Sequence, residues 1–184
     1  MSVSLGEALR WLGQVTDYER AQHDLYRPAR PDLARMRTLL ERLGRPETRF
    51  RSIHIAGTKG KGSTTAMIAA ILEAHGRRTG LTISPHLERI TERIVVSGRE
   101  IGEMDLAARL DEVRAAAEAM DRAPEDAPTF FEIVTAAAFL HFAKSGVDWV
   151  AAETGLGGRY DATNVLAPAA CVITSISFDH MERL

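Results

Sequence analysis

The sequence has little of what marks a secreted or extracellular protein. Its 184 residues include one cysteine, Cys171, so no disulfide can form within the chain. Cys171 stands in the apolar run ACVIT, which predicts a packed core side chain rather than a nucleophile. The first residues, MSVSLGEALRWLG, lack a basic segment followed by an apolar one, so no secretion signal is predicted.

An excess of one charge and long hydrophobic runs are also missing. The net charge of −2 at pH 7 gives no electrostatic reason to expect binding to nucleic acid or to an anionic membrane. The longest apolar stretch, FFEIVTAAAFLHFA, carries Glu132 and His141 and is too short to cross a bilayer. These absences leave a cytoplasmic protein as the expectation, with no nucleic acid and no membrane among its partners.

What the chain does contain is an alternation of helices and short apolar strands. Apolar residues at helical spacing predict helices before about residue 51 and again from Leu106 to Met120. A capping box formed by Thr129 and Glu132 predicts the start of a further helix. A buried helix, closed by Gly76, is predicted over residues 63–75. Strands are predicted in the segments RSIHIAG, RRTGLTIS, VDWVAAE and AACVITSIS. This alternation predicts an α/β fold, with a mostly parallel sheet flanked by helices on both faces.

The segment HIAGTKGKGST, which follows the first predicted strand, is similar to a P-loop but departs from the usual pattern G-x-x-x-x-G-K-[ST]. Ile55 takes the place of the first glycine, and Gly62 separates Lys61 from Ser63. A glycine-rich turn between a strand and a helix lets backbone N–H groups and the helix N-terminus face a phosphate. The predicted ATP-binding residues are Gly57, Thr58, Lys59, Gly60, Lys61, Gly62, Ser63 and Thr64.

The members of this loop have different predicted roles. Lys61 would reach the terminal phosphates, and Ser63 or Thr64 would bind a phosphate oxygen or Mg²⁺. For Lys59 two interpretations stay open, a role in binding and a charge exposed on a loop.

Three further polar side chains follow predicted strands at the end where each strand leaves the sheet. They are Ser84, Glu153 and His180. The carboxyl ends of parallel strands share one edge, where the ligands of open α/β sheets bind. Oxygen ligands such as those of Ser84 and Glu153 suit Mg²⁺, and a histidine nitrogen is less usual but acceptable. The sequence therefore predicts a Mg²⁺–nucleotide site at this edge.

The segment after Glu153, TGLGGRYDATN, is rich in glycine and ends in polar residues. Arg159, Asp161 and Asn164 could support the site. For Asp161 and Asn164 the alternative is that they only make turns and cap helices, and the sequence does not decide between the two.

Several motifs in the same order resemble the folylpolyglutamate synthase/dihydrofolate synthase family of the Mur ligase superfamily, over nearly the whole chain. HIAGTKGKGST resembles that family's variant P-loop, in which a glycine follows the lysine, as Gly62 does here. SPHLERITERI resembles its long Ω-loop. TFFEIVTAAAF and ETGLGGRYDATN are similar to two further blocks, and ITSISFDHMERL resembles the start of the block that carries the last metal ligand.

The resemblance implies an activity and roles for these residues. In the family, ATP phosphorylates a carboxylate of a folate or dihydropteroate, and the amino group of L-glutamate then attacks the acyl phosphate. Lys61 would neutralise the γ-phosphate, Ser84 and Glu153 would bind one Mg²⁺, and Glu153 and His180 would contribute to a second. The Ω-loop residues that would shape the folate pocket are Pro85, His86, Leu87 and Arg93.

The resemblance also implies limits. Residues 1–184 correspond to an N-terminal ATP-binding domain of the central Mur ligase type, incomplete at its C-terminus and without the C-terminal domain that helps bind glutamate. We therefore expect this chain alone to bind Mg-ATP but not to ligate, and the full-length protein to be a monomer. The alternatives are another Mur-type amide ligase and a non-catalytic nucleotide-binding module. A guanine-nucleotide switch is disfavoured because the sequence has no N-K-x-D motif.

Overall fold

The structure, a computed structural model, describes residues 4–17, 33–120 and 126–177. The helices within these ranges are α1 (Leu5–Leu12), α2 (Ala34–Arg42), α3 (Lys61–Ala74), α4 (Glu103–Glu118) and α5 (Phe130–Lys144). The strands are β1 (Arg51–Ala56), β2 (Thr79–Thr82), β3 (Val95–Val96), β4 (Arg99–Glu100), β5 (Trp149–Glu153) and β6 (Ala170–Ile173). Short 3₁₀ helices span Pro46–Thr48, Ile90–Arg93 and Ala162–Val165.

These strands form one sheet in the order β4-β3-β2-β5-β1-β6. β2, β5, β1 and β6 are parallel, and β3 and β4 add an antiparallel hairpin at one edge. The predicted α/β fold and the mostly parallel sheet are confirmed. The parallel strands β1, β2 and β5 end at the same edge of the sheet. The loops that follow these strands carry predicted site residues, so the topology brings those residues to one side of the molecule.

The main core lies between one face of the sheet and α5. This helix is buried almost all round, with Phe139 and Phe142 fully enclosed, and α4, α1 and α2 pack outside it. The predicted capping box is present at its start: the N–H of Glu132 donates to Thr129 Oγ1, and the Glu132 carboxyl accepts from the N–H of Thr129. A local sequence signal therefore fixes where the most buried helix begins.

The other face of the sheet carries a much smaller core, in which Ala69 of α3 packs with Ile55 and Ala151. The prediction of a helix ended by Gly76 is confirmed, since Gly76 adopts φ +74°. The prediction that this helix is buried is wrong. Met67 and Ile71 are 58 % and 57 % exposed, because only one stripe of α3 meets the sheet.

The prediction for Cys171 is also wrong, because its side chain is exposed. β6 is the edge strand beside β1, so an apolar run in the sequence here does not mean burial on both faces. Ile173, two residues on, is exposed as well. Within the described ranges, no helix has the length and apolar character needed to span a membrane.

Candidate functional site

The loop that leaves β1, here called the first glycine loop (residues 57–60), is clamped against the chain that follows β6. Gly57 has φ +138°, and a Cβ added there would lie 2.1 Å from Thr174 Oγ1. The N–H of Thr58 donates to the Ser175 carbonyl at 2.7 Å, and Thr174 Oγ1 donates to the Lys59 carbonyl at 2.8 Å. Only glycine fits at residue 57, because both its backbone angle and its neighbour exclude a side chain.

The helix α3 begins directly after this loop with its first turn open. Gly60, at φ +81°, is the residue before the helix and, as a glycine, supplies no side chain to cap it. Lys61 Nζ lies 3.5 Å from the Thr58 carbonyl, so the lysine folds back over the loop. Uncapped N–H groups, the positive end of the helix dipole and one ammonium group together favour an anion here.

Glu153, the last residue of β5, faces this helix start. Its Oε2 accepts the N–H of Ser84 at 3.0 Å, and its carboxyl also hydrogen-bonds the backbone N–H of Gly62. Burial raises the pKa of Glu153, while these N–H groups and Lys61 act in the opposite direction. A Cβ on Gly62 would lie 3.4 Å from Glu153 Oε2, so the glycine after the lysine permits a close approach of helix and carboxylate.

These residues fit the Mg²⁺ that the sequence predicts. A buried carboxylate whose pKa is raised by burial is a group whose charge a nearby cation would stabilise. Carboxylate and hydroxyl oxygens are ligands that Mg²⁺ prefers. The described residues contain no group of three or more acidic, histidine or cysteine side chains able to hold a metal, and His180 lies outside the described residues.

The Ω-loop residues that follow β2 divide into two groups. Pro85 is exposed and Leu87 is 94 % exposed. Arg93 is only 3 % exposed, lies 5.3 Å from the Phe130 ring centre and donates from Nε to His86 Nδ1 at 2.8 Å. Arg93 therefore holds the loop, and its interaction with His86 makes the unprotonated Nδ1 the acceptor.

Glu92 organises the tip of this loop, which the sequence did not predict. Its carboxyl accepts the N–H groups of Leu87, Glu88 and Arg89 at 2.7, 3.0 and 2.7 Å. The N–H of Leu87, followed by that of Arg89, holds the pKa of Glu92 below its usual range. Beside the loop lies a cavity of about 790 Å³, lined by His86, Arg89, Glu100 and Phe130 together with Leu5 and Leu9 of α1.

The second glycine loop (residues 155–161), which leaves β5, is held by one buried carboxylate. Asp161 Oδ2 accepts the N–H groups of Gly155 and Leu156, each at 2.9 Å, and Oδ1 accepts the N–H of Thr163 at 3.0 Å. Burial raises the pKa of Asp161, and these donors counteract it. Asp161 thus holds the turn of this loop, and its support of the site stays a prediction.

His54 extends this network into β1, and sequence reasoning missed it. Its Nε2 lies 2.7 Å from Thr163 Oγ1, which itself donates to Asp161 Oδ1. Burial lowers the pKa of His54, although Asp161 acts in the opposite direction. The only sequence signal was a histidine inside a strand of apolar residues, which by itself says nothing about its partner.

The structure thus brings some predicted residues together and separates others. Lys61, Gly62, Ser84 and Glu153 meet at the sheet edge. Several other predicted residues are exposed, namely Lys59, Gly60, Ser63, Pro85, Leu87, Arg159 and Asn164. Asn164 Nδ2 donates to the Arg159 carbonyl at 2.9 Å, which is a turn contact.

Comparisons with known proteins agree with the fold. Residues 55–184 match the Mur ligase middle domain. The chain is 47 % identical over 156 residues to a dihydrofolate synthase/folylpolyglutamate synthase of Bacillus subtilis. It superposes with a TM-score of 0.85 and 38 % identity on Mycobacterium tuberculosis folylpolyglutamate synthase complexed with ADP, and with 0.83 and 33 % on E. coli FolC in complex with DHPP and ADP.

Coverage in these comparisons is uneven. The matches take in 84 %, 96 % and 97 % of this chain, but 36 % of the B. subtilis protein, 38 % of the M. tuberculosis chain and 40 % of the E. coli chain. The chain therefore spans little more than a third of the length of the relatives it matches, and more than half of each relative has no counterpart in it.

Proposed function

Because the chain belongs to the Mur ligase family, we propose that it is the ATP-binding part of a ligase that joins L-glutamate to a folate or dihydropteroate carboxylate. The observation that carries the proposal is the meeting of the first glycine loop, Lys61 and Glu153 at one edge of the sheet. The names of the relatives support the substrate class, and the M. tuberculosis complex supports a nucleotide at this fold.

The chemistry of such a ligation explains why an ATP site is required. A carboxylate is a poor electrophile until one of its oxygens becomes a phosphate leaving group. The acceptor carboxylate attacks the γ-phosphorus of ATP, ADP leaves, and an acyl phosphate results. The amino group of glutamate then attacks the acyl carbon, and phosphate leaves as the amide forms. Phosphoryl transfer of this kind depends chiefly on positioning and on cations.

The residues of this chain supply the positioning. In the proposal, the first glycine loop and the first turn of α3 hold the phosphates by backbone N–H groups, and Lys61 neutralises negative charge on the γ-phosphate. Ser63 and Thr64 add hydroxyl groups. Ser84 and Glu153 would hold Mg²⁺, with His180 as a further ligand, and the ion would screen the charge that develops on the transferring phosphoryl group.

The acceptor would lie on the Ω-loop side of the sheet, near Pro85, His86, Leu87 and Arg93. These four residues differ in exposure and in their position relative to the cavity. His86 lines the cavity of about 790 Å³, whereas Arg93 is buried behind it and fixes the imidazole. We therefore propose that Arg93 acts on the folate through His86, and that the exposed Leu87 is available to contact a ligand directly.

Two other functions remain as alternatives, namely another Mur-type amide ligase and a nucleotide-binding module without catalysis. The resemblance of the Ω-loop and the glycine at residue 62 favour the folate enzyme. The proposal also includes a cytoplasmic location, no nucleic acid or membrane partner and a monomeric full-length protein.

The test uses the complete open reading frame. Mg-ATP-dependent incorporation of labelled glutamate would be followed with dihydropteroate and with tetrahydrofolate in separate reactions. Incorporation that falls at least about 100-fold in Lys61→Ala supports the proposal. Lys59→Ala separates the two interpretations of Lys59, since only a role in binding would lower incorporation. Incorporation with neither acceptor would refute the folate assignment, and the two acceptors separate a dihydrofolate synthase from a polyglutamate synthase.

For the 184 residues alone we propose Mg-ATP binding without ligation. A ligand that binds only the native state must raise its melting temperature. A thermal shift with Mg-ATP that Lys61→Ala abolishes supports this part of the proposal, whereas glutamate ligation by these residues alone would overturn it.

A further inference from the structure

We infer that His54 is a positioning residue of the proposed ligase, which acts on the acceptor through Thr163, Asp161 and the second glycine loop. The inference rests on the proposed function. It assigns a role to a buried histidine that lies three residues before the first glycine loop and touches neither loop directly.

The contacts form an unbroken series from β1 to the loop. His54 Nε2 meets Thr163 Oγ1 at 2.7 Å, and the Thr163 hydroxyl donates to Asp161 Oδ1. Asp161 Oδ2 accepts the N–H groups of Gly155 and Leu156 at 2.9 Å. Asp161 thus joins the start of the second glycine loop to the 3₁₀ helix that it caps, since Oδ1 also accepts the N–H of Thr163. Through Thr163, His54 contacts the residue that holds the loop.

The direction of each hydrogen bond follows from the donors. A hydroxyl has one proton, and that of Thr163 goes to Asp161, so Thr163 Oγ1 must accept from His54. The proton of the neutral imidazole is therefore on Nε2. Burial lowers the pKa of His54, which favours the neutral ring.

The position of the second glycine loop explains why a change at His54 should affect the KM of the acceptor. In the sheet, β5 lies between β1 and β2, so the second glycine loop lies between the first glycine loop and the Ω-loop. In the proposal, the acceptor carboxylate lies on the Ω-loop side and the γ-phosphate at the first glycine loop, so the second glycine loop stands between the two substrates. The first glycine loop, in contrast, is held by Thr174 and Ser175 after β6. None of the hydrogen bonds that link His54, Thr163 and Asp161 involves these two residues.

An unsatisfied polar group at the start of the loop supports a ligand-facing role. The hydroxyl of Thr154 is buried and has no hydrogen-bond partner among the described residues. Thr154 follows Glu153 directly, and its N–H donates to the Ile55 carbonyl at 2.9 Å, so its place is fixed by the β1–β5 pairing. Buried polar groups of this kind are normally completed by a ligand or water.

The alternative is a histidine that only stabilises the core. His54 pairs in register with Ala152, and burying an imidazole among apolar neighbours is unfavourable unless it is hydrogen-bonded. A purely stabilising histidine would change the fraction of folded protein, which lowers the maximal rate but leaves each KM as it was. A positioning histidine changes the KM of the substrate that the loop places.

The experiment uses the complete protein with two pairs of variants. His54→Leu and Thr163→Val remove the hydrogen bond, whereas His54→Gln and Thr163→Ser keep a donor and a hydroxyl in place. We expect the KM for the pteroyl acceptor to rise about tenfold in the first pair. The KM for ATP should stay within about twofold in both pairs, and the second pair should restore most of the acceptor KM. The double variant His54→Leu/Thr163→Val should match the worse single variant, because both break one series.

A second readout does not depend on ligase activity. Amide hydrogen exchange at Gly155 and Leu156 should be faster in His54→Leu and close to wild type in His54→Gln. Unchanged exchange together with an unchanged acceptor KM would overturn the inference, as would an equal rise of both KM values. If the wild-type protein incorporates no glutamate, the proposed function fails and the acceptor role fails with it, while the exchange result still decides whether His54 holds the loop.

Discussion

The two glycine-rich loops leave neighbouring strands at the same edge of the sheet but are held in different ways. The first, after β1, is fixed by its own backbone: Gly57 at φ +138° packs against Thr174, and Thr58 pairs with the Ser175 carbonyl. The second, after β5, is held by side chains: Asp161 accepts the N–H groups at the start of the loop, and Asn164 donates to the Arg159 carbonyl.

This difference shows two solutions to one problem. Loops that approach a ligand closely leave their backbone N–H and C=O groups without helix or sheet partners. In the first loop, backbone groups pair with the segment that follows β6. This close approach requires glycine at residue 57, so the loop has a recognisable sequence motif. The second loop satisfies such groups with a buried carboxylate, so its integrity depends on one charge and on the partners of that charge.

The largest effect is expected from Gly57→Ala, which disrupts the backbone packing of the first glycine loop. The added Cβ would meet Thr174 Oγ1 at 2.1 Å and would stand at an angle that alanine resists. We expect a loss of about 3 kcal/mol or more in the free energy of unfolding, together with loss of ATP binding. Urea unfolding and a thermal shift with Mg-ATP measure the two effects.

The matched control is Gly76→Ala, another glycine with positive φ. A Cβ at Gly76 would meet nothing within 4 Å, so only backbone strain remains. A loss of about 1 kcal/mol is expected there, with ATP binding intact. Equal losses in both variants would mean that the contact with Thr174 does not matter.

The next largest effect is expected from Asp161→Asn, which weakens the side-chain hydrogen bonds that hold the second glycine loop. An amide of the same shape offers one acceptor oxygen, so at least one buried N–H or hydroxyl donor of the loop loses its partner. We expect a loss of about 2 to 3 kcal/mol in the free energy of unfolding. Asp148→Asn is the control, because that exposed carboxylate accepts only the N–H of Arg78 in the described structure. A loss in Asp161→Asn no larger than in the control would contradict the comparison.

A smaller effect, on binding rather than stability, is expected from Gly62→Ala. The new Cβ would stand 3.4 Å from Glu153 Oε2, at van der Waals contact, and would fill the space between the helix and the carboxylate where Mg-ATP is proposed to bind. Because alanine favours the helix, stability should hold or improve, while the affinity for Mg-ATP falls about tenfold. Isothermal calorimetry measures the affinity. Gly6→Ala is the matched control, since Gly6 is also the second residue of its helix and a Cβ there meets nothing within 4 Å.

The smallest effect is a pH dependence of stability that comes from the second loop's network. The folded-state pKa of His54 is lowered by burial, so the folded protein binds its proton more weakly than the unfolded chain does. His54 therefore contributes stability above the unfolded pKa of about 6.5, and this contribution is lost as the pH falls through and below that value. His54→Gln should flatten the decline in denaturant midpoint between neutral and mildly acidic pH, although His141, whose pKa is lowered in the same direction, keeps part of it. An identical pH profile in His54→Gln would show that His54 does not take part.

The sequence predicted what depends on short stretches of chain. The capping box of Thr129 and Glu132, the end of α3 at Gly76 and the glycine turn after β1 each combine residues only a few positions apart. The convergence of Ser84 and Glu153 was also predictable, because parallel strands place their ends at one edge.

The rest depends on which elements become neighbours, and no local pattern encodes that. Arg93 was predicted to shape a ligand pocket, but the structure buries it behind His86. His54 and Thr163 are more than a hundred residues apart in the sequence, and their contact exists only because β1 lies beside β5. Cys171 was misjudged for a similar reason, since the sequence does not say that β6 is an edge strand in this chain.

The position of β1 in the sheet also has a consequence for how the protein is made. β1 pairs with β5 and β6, and its first residue, Arg51, stands opposite Trp149. During synthesis the first glycine loop leaves the ribosome long before the strands that shape it, and its clamp at Thr174 and Ser175 comes later still. Until then β1 lacks its partner strands, so a chain with this order completes its first glycine loop among its last structural events, after the long-range pairings of the sheet have formed.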